Sequence, residues 1–132
     1  MRPRVAVIDD ASVIRASIAL LMTELDVVLA TATVEEFLAA GPAVDLVLLD
    51  LHLVNLERQP DVRQGIAAIR ALTARGYRIC VYSQEERRFV LAACLAAGAS
   101  GIVSKALPTD RAQQLFLDVA ADGTAVPQSV VG

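Results

Sequence analysis

Five short apolar runs rich in β-branched residues recur along this chain, and each is followed by a stretch whose apolar residues return every third or fourth position. That alternation leaves few folds open. Every strand must reach a parallel neighbour through a helix, the crossovers are right-handed, and the helices cover both faces of one sheet. The expected strands are Arg4–Ile8, Asp26–Thr31, Asp45–Asp50, Arg78–Tyr82 and Ser100–Ser104. The fold expected is therefore α/β, a five-stranded parallel doubly wound sheet ordered 2-1-3-4-5.

The helices are expected over Ala11–Leu25, from the capping-box pattern Thr33–Glu36 to Gly41-Pro42, from Gly65 to Gly76, over Glu85–Ala97, and from Pro108 through Ala121. In the first of these Val13, Ile14, Ile18, Leu21, Met22 and Leu25 mark the apolar face, with Ser12 near its start. Leu51 to Gln64, carrying Asn55, Pro60 and several charges, is expected to be a long loop. Residues 1–122 form one domain in this reading, and 123–132 a tail or truncated linker.

A chain of 132 residues with 55 % hydrophobic content can fill a single core. Its 12 basic and 15 acidic side chains leave a net charge of −3, so no sequence-wide basic field draws it onto nucleic acid. The apolar runs are far shorter than the roughly 18 residues of a membrane span, and a cytoplasmic protein with no membrane partner is expected. Cys80 and Cys94 lie in apolar segments without a neighbouring His, which suits buried reduced thiols. Lys105 is the only lysine.

Polar groups gather at the strand ends. The first strand stops at Asp9-Asp10, the third at Asp50, the fourth at Ser83 and the fifth at Lys105. Singly, each acid would more often be a cap or turn residue, and Ser83 a cap for the helix after it. Together they are harder to dismiss, because this sheet order puts strands one and three side by side at the switch point, where such folds hold their chemistry. Three converging carboxylates repel one another and raise each other's pKa, which a hard divalent cation relieves. Carboxylates, a carbonyl and waters in octahedral array suit Mg²⁺. A carboxylate beside such a cation can attack a phosphoryl group and form an aspartyl phosphate. Lys105 would supply a point charge to the phosphoryl oxygens, and Ser83 a hydrogen bond.

From Val5 to about Ala121 the chain resembles a response-regulator receiver domain (CheY-like). The resemblance rests on Ile8-Asp9-Asp10, Leu48-Leu49-Asp50, Ser83, and Ala97-Gly98-Ala99-Ser100-Gly101 leading to Ser104-Lys105. The segment Asp9–Arg15 and the run Gly98–Lys105 look most like the NarL/LuxR-type subfamily, whose receivers precede a helix-turn-helix domain. The resemblance implies that Asp50 accepts phosphate from a sensor histidine kinase. It further implies that Asp10 and Asp50 bind Mg²⁺ directly, Asp9 through water, and His52 through its backbone carbonyl. Ser83 would swing toward the phosphoryl group and Lys105 pair with it. DNA would be reached only through an output domain absent from this sequence, and a homodimer is left open.

The sequence departs from the family pattern in several places. Gly65 lies fifteen positions after Asp50 where the pattern has eight, about seven residues extra in a connection that is usually short. Ile102 stands where an aromatic switch residue is usual, Gln84 where a small residue is, and Ala106 where Pro is frequent. Tyr82 adjoins Ser83, but neighbouring strand positions point to opposite faces. These features support an alternative, a pseudo-receiver acting as a phosphate-independent dimerisation or interaction module. Glu85–Arg88 reads as a solvated helix start with its acids near the positive end of the dipole. Asp50-Leu51-His52 also approaches the Asp-x-His-x-x-Gly signature of cobalamin-binding domains, but it follows strand three and meets Asn55 where Gly is required. An FMN site is disfavoured, since Asp9 and Asp10 would repel its phosphate.

Overall fold

The computed structural model describes residues 1–52 and 62–127. Five strands, β1 (Arg4–Ile8), β2 (Asp26–Thr31), β3 (Leu46–Leu49), β4 (Ile79–Ser83) and β5 (Gly101–Ser104), form one parallel sheet in the order β2-β1-β3-β4-β5. Between them run α1 (Ser12–Leu21), α2 (Val34–Ala40), α3 (Val62–Ala74) and α4 (Arg88–Ala97), with α5 (Thr109–Ala120) following β5. The architecture is the one expected.

Period-two alternation divides the strands between two cores. Ala6, Ile8, Val47, Leu49, Val81 and Ile102 face Phe37 of α2, Leu72 of α3 and Leu91 of α4. Val5, Val7, Leu46, Leu48, Tyr82 and Val103 face Ile18 of α1 and Phe116 of α5. Ile102 and Tyr82 thus lie on opposite sides of the sheet. Tyr82 is held edge-on against Phe116, with ring centroids 5.1 Å apart. Cys80 and Cys94 are free and buried, as expected.

Register carries this packing to the site. Ile8 pairs with Leu49, Leu49 with Val81, and Ser83 with Ser104, so the strands finish nearly level. The ladder runs one step further, with amide hydrogen bonds from Asp9 to Thr31 O, from Asp50 to Ile8 O, and from Lys105 to Ser83 O. The residues that follow the strands are therefore fixed by sheet hydrogen bonds rather than by loops.

Three helix boundaries differ from expectation. α1 ends at Leu21, not Leu25, because the chain must turn in time for the Asp26 amide to reach Pro3 O and begin β2. Leu25 is still buried, whereas Val13 and Leu21 are exposed, so the α1 core face is narrower than the spacing suggested. α3 starts at Val62, so the last part of the expected loop is helical. Of the rest of that loop, Leu51 and His52 are described, and 53–61, including Asn55 and Pro60, lie outside the described residues. Gly65 is required where α3 crosses the chain after β3, since an added Cβ would collide with the Leu51 carbonyl. α4 starts at Arg88, not Glu85, for a reason that lies in the site.

Among the described residues, the segment read as a tail continues beside the sheet. Ala125 is buried and bridges Gly101 in parallel, and its carbonyl accepts the Ile102 amide at 2.7 Å. Arg78 secures the turn into this segment, donating to Val119 O at 2.6 Å and to Gly123 O at 2.8 Å.

Candidate functional site

At the carboxyl edge of the sheet β1 delivers Asp9 and Asp10, β3 Asp50, β4 Ser83 and β5 Lys105. Asp9, Asp50 and Ser83 are buried, while Asp10 is exposed. Carboxylate oxygens of Asp9, Asp10 and Asp50 lie within 4.8 Å of one another. Lys105 Nζ sits 2.8 Å from Asp9 Oδ2 and 3.4 Å from Asp50 Oδ1, tying the two buried acids together. The five side chains singled out at the strand ends thus share one corner of the molecule.

Each is oriented by its neighbours. Asp9 Oδ1 accepts the Ala11 amide at 2.9 Å, and the Asp9 carbonyl accepts from Arg15 Nη1 at 2.6 Å. The helix that follows has no side-chain cap, so Asp9 is not spent as one. Asp50 Oδ1 accepts the His52 amide at 3.3 Å. Lys105 Nζ stands 5.9 Å from the centroid of the Tyr82 ring, within reach of a weak cation–π attraction.

The electrostatics follow from this crowding. Burial, then the charge of Asp9, pushes the Asp50 carboxyl above the ordinary range, against the opposing pull of Lys105. Burial would push the Lys105 ammonium down, but its hydrogen bond to Asp9 and the charge of Asp50 outweigh that and hold it up. The three carboxylates and the Lys105 ammonium together carry two net negative charges, with the Arg15 guanidinium at the margin. Oxygen donors of this kind at this spacing, with that excess charge, fit a hard divalent cation such as Mg²⁺.

Glu85 and the His52 ring were not recognised from sequence. Glu85 is no solvated helix start; its side chain is only 6 % exposed. Its carboxylate accepts the Glu86 and Arg87 amides and pairs with the Arg87 guanidinium at 2.6 Å. The Arg87 hydrogen bond is the main reason the Glu85 carboxyl falls to about 2. These bonds hold the backbone out of the helix until Arg88. Nor does Ser83 cap α4; its oxygen accepts the Glu85 amide at 3.0 Å, and the cap position belongs to Arg87. The His52 ring lies between the two, with Nδ1 3.4 Å from Ser83 Oγ and Nε2 3.2 Å from Glu85 Oε1. Beside Ser83 a cavity of about 410 Å³ is lined by Leu91, Ile102, Ser104 and Pro127 among others.

A doubly wound sheet that gathers acids from two adjacent strands, a hydroxyl from a third and an ammonium from a fourth defines an α/β domain with its candidate site at the topological switch point. Within that class the family is clear: the model of the response regulator receiver domain matches residues 5–116, and the chain belongs to that family, the receiver domains of two-component systems. Solved structures share the fold. The isolated receiver domain of RcsB from Salmonella enterica serovar Typhimurium, in the presence of phosphomimetic BeF3−, superposes with a TM-score of 0.80 at 17 % identity, covering 99 % of this chain and 97 % of that one. A LuxR-family two-component response regulator from Aurantimonas sp. SI85-9A1 gives 0.83 at 22 %, covering 99 % and 94 %. The receiver domain of the putative response regulator NarL from Mycobacterium tuberculosis gives 0.74 at 21 %, covering 91 % and 97 %. A sequence search among curated proteins finds no match. Among the described residues no helix is long and apolar enough to cross a membrane.

Proposed function

We propose that Asp50 is the phosphoryl acceptor of this receiver domain and that its donor is the phosphohistidine of a sensor histidine kinase. The observation that carries this reading is the placement of Lys105, bridging Asp9 and Asp50 beside a third carboxylate. An Asp50 oxygen attacks phosphorus, the P–O bond of an acyl phosphate forms as the P–N bond breaks, and the electron pair leaves with the imidazole nitrogen. Mg²⁺, held by Asp10 and Asp50 directly, by Asp9 through water and by the His52 carbonyl, would supply charge neutralisation for the incoming phosphoryl oxygens. Lys105 exchanges its contact with Asp50 for a phosphoryl oxygen, and the Ser83 hydroxyl donates to another. Both exchanges favour one state of a two-state domain, which is all a ligand needs to switch it.

The RcsB receiver solved with BeF3− is precedent for such a ligand on this fold. RcsB dimers have also been solved on DNA, which supports a homodimeric, DNA-directed output here. A net charge of −3 gives this chain no basic field of its own, so DNA contact falls to a separate output domain. A kinase-facing protein of this kind works in the cytoplasm. The 123–132 segment then belongs to the connection toward that output domain, with 1–122 as the receiver proper.

One observation favours a second reading, a phosphate-independent interaction module. Ile102 is buried, and Tyr82 is packed against Phe116 on the opposite side of the sheet, so neither is an aromatic free to swing beside Ser83. Titration with Mg²⁺ and acetyl phosphate or beryllofluoride separates the two. A receiver shows shifts in the backbone resonances of Asp50, Ser83 and Lys105 that vanish in Asp50→Ala; an interaction module shows none at millimolar ligand.

A further inference from the structure

The Ser83 hydroxyl is already engaged before any phosphate arrives. Its oxygen accepts the Glu85 amide, and His52 Nδ1 lies 3.4 Å away. The opposite ring nitrogen faces Glu85 Oε1, an oxygen that also pairs with the Arg87 guanidinium at 2.6 Å and so belongs to an ionised, acceptor-only carboxylate. A ring proton on Nε2 satisfies that carboxylate, which leaves the lone pair on Nδ1 and makes Ser83 the donor toward it. In that tautomer of the neutral ring the hydrogen bonds run from Ser83 through His52 to Glu85. His52 belongs to neither hydrophobic core, and its side chain is 32 % exposed. Among the described residues its ring has only these two hydrogen-bonding partners.

We propose that His52, braced by Glu85, is a positioning residue that holds the Ser83 hydroxyl in the phosphate-free arrangement and so sets how readily phosphorylation switches the domain. This rests on the acceptor reading of Asp50. A serine hydroxyl has one proton, and it donates either to His52 Nδ1 or to a phosphoryl oxygen on Asp50. The phosphate-bearing state therefore gives up a hydrogen bond that the free state keeps, and differential contacts of that kind set the position of a two-state equilibrium. Ile102, on the Ser83 side of the sheet, need not be aromatic for this to work; the restraint comes from His52, just beyond the end of β3.

The test is calorimetric titration of Mg²⁺-beryllofluoride into the wild-type chain, His52→Ala, His52→Asn, Glu85→Ala, Ser83→Ala and the double variant His52→Ala/Ser83→Ala. Release of one modest hydrogen bond corresponds to binding roughly twofold to tenfold tighter in His52→Ala, with a smaller gain in Glu85→Ala. His52→Asn, whose amide oxygen can occupy the Nδ1 position, returns the affinity toward wild type. In the Ser83→Ala background the His52→Ala substitution changes nothing, an outcome that a merely structural histidine would not produce. Unchanged or weaker binding in His52→Ala, or an equal effect with Ser83 removed, overturns the proposal while leaving Asp50 as acceptor. A wild-type chain that binds no beryllofluoride overturns the acceptor reading and this proposal with it.

Discussion

Replacing Asp50 with Asn should stabilise the metal-free protein. The repulsions on Asp50 come from Asp9 and Asp10, whose oxygens lie within 4.8 Å, and the attraction comes from Lys105 Nζ at 3.4 Å. At an effective dielectric constant near 20, the repulsion from Asp9 at that distance is about 3.5 kcal/mol and the attraction of Lys105 about 5 kcal/mol, so these two charges largely offset each other and burial, the largest cause, decides against the ionised carboxylate. Asp10, exposed to solvent, adds the smallest share. An isosteric amide escapes the burial penalty and the repulsions, so the expected gain at neutral pH is on the order of 1 kcal/mol, or roughly 4 °C in Tm.

The pH dependence gives the sharper check. Asp50 titrates above its unfolded value of 3.8, so its contribution is fully present below that pH and is lost as pH rises through the raised folded pKa. The Asn advantage should therefore be absent near pH 3.8 and complete at neutrality. Urea unfolding in the presence of a chelator, repeated with millimolar Mg²⁺, reads it directly. Mg²⁺ should stabilise the wild type more than Asp50→Asn and narrow the gap. An Asn variant less stable at neutral pH, or one whose advantage persists unchanged at low pH, would show that the three acids do not strain one another as argued.

Gly65→Ala should destabilise the fold by about 2 kcal/mol or more, the scale of a steric clash forced into a packed site, because its Cβ meets the backbone of Leu51 and not a mobile side chain; chemical denaturation checks it. Glu85 is depressed from 4.5 to about 2, chiefly by Arg87, so its stabilisation is present above pH 4.5 and fades as pH falls toward 2. The stability difference between wild type and Glu85→Gln should disappear over that window in acid-unfolding curves. Cys80 and Cys94, both buried with thiol pKa values raised by burial, should resist alkylation in the folded protein and react once it is unfolded.

The sheet was legible because its signal is local and redundant. Leu46–Leu49 and Ile79–Ser83 are apolar on both faces up to the polar residue that ends or follows them, and no competing interaction blurs where they stop. Helix starts were less legible where a side chain competes with the backbone. Nothing in the composition of Glu85–Arg88 distinguishes a charged first turn from a carboxylate folded back on two amides and a guanidinium. Asp9, Asp10, Asp50, Ser83 and Lys105 could be grouped because topology alone carries strand ends to one edge. The His52 ring could not, since its partners, Ser83 at the end of β4 and Glu85 just after it, become neighbours only through the pairing of β3 with β4.

Two opposing devices therefore meet at Asp50. The carboxylates make the metal-free site electrostatically unfavourable, a strain that the rest of the fold must offset and that a cation or a neutral amide removes. In the proposed switch the Ser83–His52–Glu85 chain acts the other way, adding one hydrogen bond, Ser83 to His52, that the phosphate-free arrangement keeps. A domain with the first device alone would be drawn to its ligand but would have little to release on binding it. With both, the free energy gained at Asp50 is partly spent on freeing Ser83, and that coupling ties occupancy of the site to the position of β4 and the start of α4.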